Sequence, residues 1–444
     1  MSPTFDQILG IVQQALTPYS AVLATAEWWF INRDLFGRVR LIAPAAQQAA
    51  LEASEAFRAL TRALSEPLGA HGYPADVIVL FEDEPETVLD GTTAFELDGF
   101  PGVRVVDRLA SESDWGHVAE VSTGPPRIVF HGIKGGVGRS TAIAVTAAVL
   151  AERGHRVIVV DLDLASPGLS STLLPIARRP KHGVVDWLVE DLVDNGDVVL
   201  DSMVTRSGFE SAGEIIVVPA HGDSPGEYLA KLGRVWMPKL TPTGREKWAR
   251  RLNRMLGALE TRWRPDVVLV DSRSGIDDIS AACVTELGAL RVLMFTTDAP
   301  QTWEGYRILF DHWRRTGSVT CIRERLQCVG AAMPSVDEAR DFLALREMSW
   351  SLFVEGVYDE IPVPSEGSQD DDFFSYDVGD RLGPHFPWQV RWDRAFLNIA
   401  AWHEAFGVLD GKVIDASFGP VIDGISALIV EHHSGAPTID KEGL

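Results

Sequence analysis

The run Gly132-Ile-Lys-Gly-Gly-Val-Gly-Arg-Ser-Thr141 restricts the fold of this chain more than any other stretch. It follows a strand-like segment, Arg127-Ile-Val-Phe-His131, and opens a helix-like segment from Ser140 to Arg153 that stops at Gly154. Glycines at 132, 135, 136 and 138 let the backbone turn tightly and aim its N–H groups inward. Those amides, with the positive end of the following helix, make a cradle for phosphate. The order of strand, glycine-rich loop and helix approximates a GxxxxGK[ST] loop, with Ile133 at its first glycine position, Arg139 at the usual lysine position and an extra lysine, Lys134, near the loop's start. It predicts a nucleoside triphosphate held by Gly135, Gly136, Val137, Gly138, Arg139, Ser140 and Thr141. Ser140 is placed to give its hydroxyl to Mg2+ and Thr141 to touch the α-phosphate. Arg139 keeps its proton and offers a planar fork of donors, suited to clamp β- and γ-phosphate oxygens. Its bulk, greater than that of lysine, predicts altered or slowed hydrolysis.

Two further motifs follow. In Val159-Val-Asp-Leu-Asp-Leu-Ala-Ser-Pro-Gly-Leu169, Asp161 and Asp163 end an apolar strand with one residue between them, which puts both on one side of it. Carboxylates there orient the waters of Mg2+ and an attacking water. In Pro265-Asp-Val-Val-Leu-Val-Asp271, an apolar strand again ends in aspartate, as in a Walker B element that holds Mg2+ through water. Arg273 follows at the strand tip, suited either to neutralise charge on the γ-phosphate or to pair with Asp277 or Asp278.

Strand and helix signals alternate around these motifs. The strand candidates are Ile128–Phe130, Val157–Val160, Ile215–Val218, Val267–Val270, Val292–Phe295 and Leu326–Val329. Several are continuous apolar runs, as expected for strands covered on both faces. The predicted fold is α/β, a mostly parallel sheet sandwiched by helices, with its ligand at the carboxyl ends of the strands. The turn-forming Ser122-Thr-Gly-Pro-Pro126 divides a nucleotide-binding domain over 127–434 from a smaller N-terminal α/β module over 1–121. In that module Ala43 to Leu68 is helix-like, Asp76–Phe81 and Val103–Val106 are strand-like, and Glu82–Glu86 is an acidic loop. Trp28-Trp29-Phe30 is either core or a partner-binding patch.

Together the three motifs resemble the deviant-Walker ATPases of the ParA/MinD/ArsA type, whose signature is KGGxGK[ST]. The closest likeness is to the subgroup that reads KGGxGR, D-x-D-L-x-x-P-G-L and D-S-R-[ST]-G, matched by Lys134–Arg139, Asp161–Leu169 and Asp271–Gly275. Val292–Gly305 also resembles the family's next strand and loop, so the likeness runs from Arg127 to Pro364. It implies ATP as nucleotide, Mg2+ as cofactor and a nucleotide-dependent homodimer. Lys134 would reach the partner's nucleotide, Asp163 would align the hydrolytic water, Asp161 would support Mg2+ and Asp271 would be the Walker B carboxylate. Arg139 departs from the wider family's lysine, and Ala331-Ala-Met-Pro334 stands where an asparagine often reads adenine. Glu360-Ile-Pro-Val-Pro364 would either wall the base or be an ordinary proline loop.

Composition bounds the rest. A net charge of −23 repels nucleic acid and anionic lipid on average. The basic segment Gly244–Arg254 is the exception, with Arg245, Arg250, Arg251 and Arg254 open to nucleic acid, to an acidic partner or only to water. Cys283, Cys321 and Cys328 form no CxxC pair and predict buried free thiols in a reducing cytoplasm. The N-terminus lacks the pattern of a secretion signal, no uninterrupted apolar run reaches the ~18 residues that span a membrane, and the tail from Glu431 to Leu444 is polar. His432-His433 has no matching metal ligands in sequence, and Gln369–Asp372 is a solvated acidic loop. The expected protein is a cytoplasmic switch ATPase that signals to a protein partner, with nucleic acid disfavoured and no stable membrane insertion. A nucleotide-binding scaffold with little turnover and a DNA-associated partitioning-type ATPase are the alternatives.

Overall fold

The computed structural model describes residues 3–90, 92–109, 114–242, 244–333, 337–361, 373–391, 393, 396 and 410–434. The chain forms two compact units, one of 1–117 with 315–318 and one of 118–314 with 319–444.

In the smaller unit, five strands are ordered β3-β2-β1-β5-β4: β1 Trp29–Arg33, β2 Val39–Pro44, β3 Val79–Glu82, β4 Ala94–Leu97 and β5 Phe100–Asp107. Helices α1, Ile8–Leu16, and α2, Glu55–Leu68, bury Ile8, Val12, Leu16, Phe57, Leu60 and Leu64 in its core. Trp29 and Phe30 are 1% and 0% exposed, so the aromatic cluster opens a core strand. The helix expected from Ala43 is broken. Ala43 lies in β2, and Ser54 in extended conformation starts α2 by accepting from the Phe57 amide at 3.4 Å.

The larger unit is built on eight strands: β6 Arg127–Gly132, β7 Arg156–Asp161, β8 Thr205–Arg206, β9 Glu214–Val218, β12 Val267–Asp271, β13 Arg291–Thr296, β14 Leu326–Met333 and β15 Trp388–Arg391. A separate hairpin pairs β10, Lys239–Thr241, with β11, Gly244–Glu246. The main order is β15-β14-β13-β6-β12-β7-β9-β8, parallel except for β8 on β9. All six expected strands are its interior members. Every residue of β6 and β12 is buried, because helices cover both faces. The added edge strands β8 and β15 are short and mixed in polarity, so no apolar run announces them.

Five helices matter for the site and its surroundings: α3 Arg139–Glu152, α4 Trp248–Trp263, α5 Pro300–Thr316, α6 Glu338–Gly356 and α7 Gly411–Ser434. α3 is buried almost all round, with Ala142 to Ala151 inside the core. α7 is long and apolar enough by length and composition to cross a membrane, although Asp415 and Asp423 interrupt its apolar run. Its Phe418, Val421, Ile422, Ile425 and Ile429 lie in the core cluster that also holds α3 residues, which accounts for its apolarity. The acidic run 369–372, residues 362–364 and the tail beyond 434 lie outside the described residues.

Candidate nucleotide site

β6, β7 and β12 end side by side, in parallel register, with Asp271 opposite both Asp161 and Phe130. That register gathers the three motifs at one edge of the sheet. β6 runs out at Gly132, whose carbonyl accepts from the Gly275 amide at 2.9 Å, so the loop is tied to the chain after β12. Gly136 and Gly138 take φ of +75° and +85°, a region that side chains resist, and Gly138 caps α3. Lys134, Gly135 and Gly136 are exposed, whereas Val137 and Arg139 are buried.

The charges meet just below the loop. Ser140 Oγ donates to Asp271 Oδ2 at 2.6 Å. Arg139 Nε lies 3.7 Å from Asp271 Oδ1, and Arg139 Nη2 lies 4.0 Å from Asp163 Oδ2. Asp161 Oδ1 accepts from the Asp163 amide at 3.1 Å, and Asp163 Oδ1 from the Ser166 amide at 3.2 Å. Thr141 is half-buried one residue further on. Arg139 is only 6% exposed, yet its Nε and Nη1 have no hydrogen-bond partner among the described residues, and neither have Asp161 Oδ2 and Asp271 Oδ1. Native interiors rarely leave such groups unpaired. Here unmet donors and unmet acceptors of opposite charge stand together.

The electrostatics carry the same strain. Burial pushes Asp161 well above the usual carboxylate range, and the nearby Asp271 and Asp163 push it further. Burial raises Asp271 to about 6, although Arg139 and the Ser140 hydroxyl pull it down. Asp163 is also raised by burial, against the pull of Arg139. These carboxylates lack positive charge, which is what a divalent cation supplies. Among the described residues no group of three His, Cys, Asp or Glu side chains forms a complete metal cage. Mg2+ does not need one, since it commonly takes one or two protein ligands and completes its shell with water and phosphate.

Three side chains near the site, Gln301, Tyr228 and His131, were not legible in the motifs. Lys134 Nζ donates to Gln301 Oε1 on α5. Tyr228, on the short helix Tyr228–Leu232, donates to the Leu164 carbonyl at 2.6 Å and so braces the loop that carries Asp163. Its hydroxyl is pushed up to about 12, first by burial and then by Asp161 and Asp163. His131, at the end of β6, is held down to about 3 by burial and by Arg139, so it is neutral. A lone histidine, tyrosine or glutamine gives no spacing signal. Arg273 pairs with Asp277 at 3.1 Å, one of the two roles open to it.

The basic segment is not a free cationic face. Its first part is the strand β11, and the helix starts at Trp248. Arg251 is fully buried and donates from Nε to Asp191 at 2.9 Å. Arg254 bonds both Asp191 and Glu246 at 2.9 Å. Two of the four arginines are thus committed within the fold.

Loop, sheet and carboxylates together define a P-loop nucleotide-binding domain in the larger unit. Residues 128–329 match the family described as the CobQ/CobB/MinD/ParA nucleotide binding domain. Similar solved structures include pNOB8 ParA bound to nonspecific DNA, at 17% identity over 70% of this chain and 100% of that one, with a TM-score of 0.41. The septum site-determining protein MinD from Pyrococcus horikoshii, complexed with Mg-ADP, is 19% identical over 49% and 73%, with a TM-score of 0.33. Cobyrinic acid a,c-diamide synthase from Mycobacterium smegmatis, with bound ADP and magnesium, is 21% identical over 49% and 79%, with a TM-score of 0.34.

Proposed function

We propose that this chain is an ATP- and Mg2+-dependent switch ATPase that dimerises on nucleotide and signals to a protein partner. One observation carries the reading: buried oxygens of Asp161 and Asp271 and buried nitrogens of Arg139 lack hydrogen-bond partners among the described residues, with Arg139 and Asp271 in only a long 3.7 Å ion pair, under a glycine loop that opens a helix. Such a site is complementary to a cation together with phosphate and to little else. Bound Mg2+ would balance the carboxylates and polarise the terminal phosphoryl group.

The chain's own residues supply the rest. Amides of Gly135 to Thr141 hold the phosphates, and Arg139 clamps them. Ser140 and Asp271, already hydrogen-bonded to each other, hold the cation, with Asp161 behind them. Asp163 accepts from the attacking water and orients it. Lys134, exposed at the loop's start, acts on the nucleotide of a second copy. The smaller unit relays the state, and the free cysteines, buried at 283 and 328 but exposed at Cys321 against the burial expected of all three, fit a reducing cytoplasm.

Particle size with ATP and Mg2+ tests this. The reading expects a nucleotide-dependent dimer, lost in Lys134→Ala and long-lived in Asp163→Ala. A monomer in every case overturns it. The contact of Arg139 with Asp163 supports a second reading, a scaffold with little turnover, because it draws on the carboxylate that would orient water. Phosphate release separates the two: turnover abolished by Asp163→Ala marks the enzyme, and tight binding without release marks the scaffold.

A further inference from the structure

We infer that the groove between α5 and α6 is the docking site for a partner's amphipathic helix with a basic polar face. α5 presents Pro300, Trp303, Glu304 and Arg307 to it, and α6 presents Ala344, Glu347, Met348 and Ser351. Both sets fall at helical spacing, so two parallel stripes flank a slot of about 530 Å³. Helix-in-groove recognition needs this shape. The floor is apolar, with Trp303 7% and Leu352 2% exposed. The Trp303 indole Nε1–H is buried and has no acceptor among the described residues, although buried indoles usually find one.

The rim selects the occupant by charge. Asp298, Glu304 and Glu347 are exposed and have no ion-pair partner among the described residues. The rim's one cation, Arg307, is already bound to Glu355 at 3.1 Å. An acidic rim repels phosphate and lipid headgroups and attracts lysine or arginine around an apolar stripe.

α5 also reaches the nucleotide loop. Gly305 packs so tightly on Ile133 that a Cβ there would lie 2.6 Å from its side chain, and Gln301 holds Lys134. Docking on one side of α5 would therefore bear on the loop on its other side. That consequence rests on the switch reading, whereas docking itself does not.

Two synthetic 18-residue helical peptides with the same leucine face test the proposal on the full chain, one with lysine and one with glutamate on its polar face. The lysine peptide should bind saturably and the glutamate peptide should not. Glu304→Lys with Glu347→Lys should weaken the lysine peptide about tenfold at low salt. Trp303→Phe should weaken it a few-fold, while Glu66→Lys with Glu152→Lys should leave it unchanged. No saturable binding, equal loss in both charge-reversal pairs, or preference for the glutamate peptide overturns the proposal. Nucleotide titration of the same variants runs alongside. Loss of nucleotide binding with intact peptide binding counts against the switch and leaves the groove standing.

Discussion

Replacing Asp161 by Asn should make the ligand-free protein more stable while abolishing its response to magnesium. Asp161 is fully buried, its Oδ2 has no hydrogen-bond partner among the described residues, and it lies in register with Asp271 on the adjacent strand. Asparagine keeps the acceptor for the Asp163 amide and turns the orphan oxygen into a donor that can meet Asp271 Oδ1. The size of the effect follows from the carboxyls. Moving Asp271 from 3.8 unfolded to about 6 folded costs on the order of 3 kcal/mol at neutral pH. Asp161 is raised in the same direction by the same burial. The substitution removes a charge that burial, Asp271 and Asp163 all oppose, so the melting transition of the larger unit should rise at pH 7. The sign with pH is fixed. Between about 4 and 6 the folded chain binds more protons than the unfolded chain, so this site's contribution to stability falls as pH rises through that window. Asp161 is raised in the same direction, so the gain from Asp161→Asn should be near zero at pH 4 and grow as pH rises above it. Calorimetric melts at several pH values, with and without Mg2+ and nucleotide, read this directly. Destabilisation at pH 7, or a gain independent of pH, would refute the electrostatic reasoning.

Other substitutions test other links. Gly136→Ala and Gly138→Ala should each cost about 1 kcal/mol from their positive φ alone, since space around both is open, and should weaken nucleotide binding measured by titration. Arg251→Ala should destabilise the larger unit by about 3–5 kcal/mol in denaturant melts, because it leaves the 3%-exposed Asp191 short of a partner. Burial opposes ionisation of Asp191, but hydrogen bonds from Arg254, Arg251 and Lys239 hold it below the usual range. Its contribution should thus be present at neutral pH and fade as pH falls below about 4. Tyr228→Phe should leave nucleotide affinity nearly unchanged and loosen the Asp163 loop by about 1 kcal/mol, read as faster amide exchange at Leu164–Ser166.

What the sequence made legible was what the chain encodes locally. The interior strands are buried on both faces and so declare themselves as apolar runs, and aspartates at the ends of β7 and β12 mark the rim of the sheet. Arg139, Ser140, Asp161, Asp163 and Asp271 were singled out from spacing, and parallel register brings them together. Contacts across long separations were hidden. Nothing local to Tyr228 points to the Leu164 carbonyl, and nothing near Arg251 reveals that Asp191 buries it. The helix read from Ala43 failed because helical spacing of apolar residues can continue through a strand end when Pro44 and Ser54 punctuate it.

The central claim is that the buried charged groups under the glycine loop, short of hydrogen-bond partners, form a site for a nucleoside triphosphate with magnesium. Calorimetric titration of the folded chain with ATP and Mg2+ tests it most directly. A saturable heat near one nucleotide per chain, strongly reduced in Asp271→Asn, is the predicted result. No heat with any purine triphosphate and magnesium would contradict it.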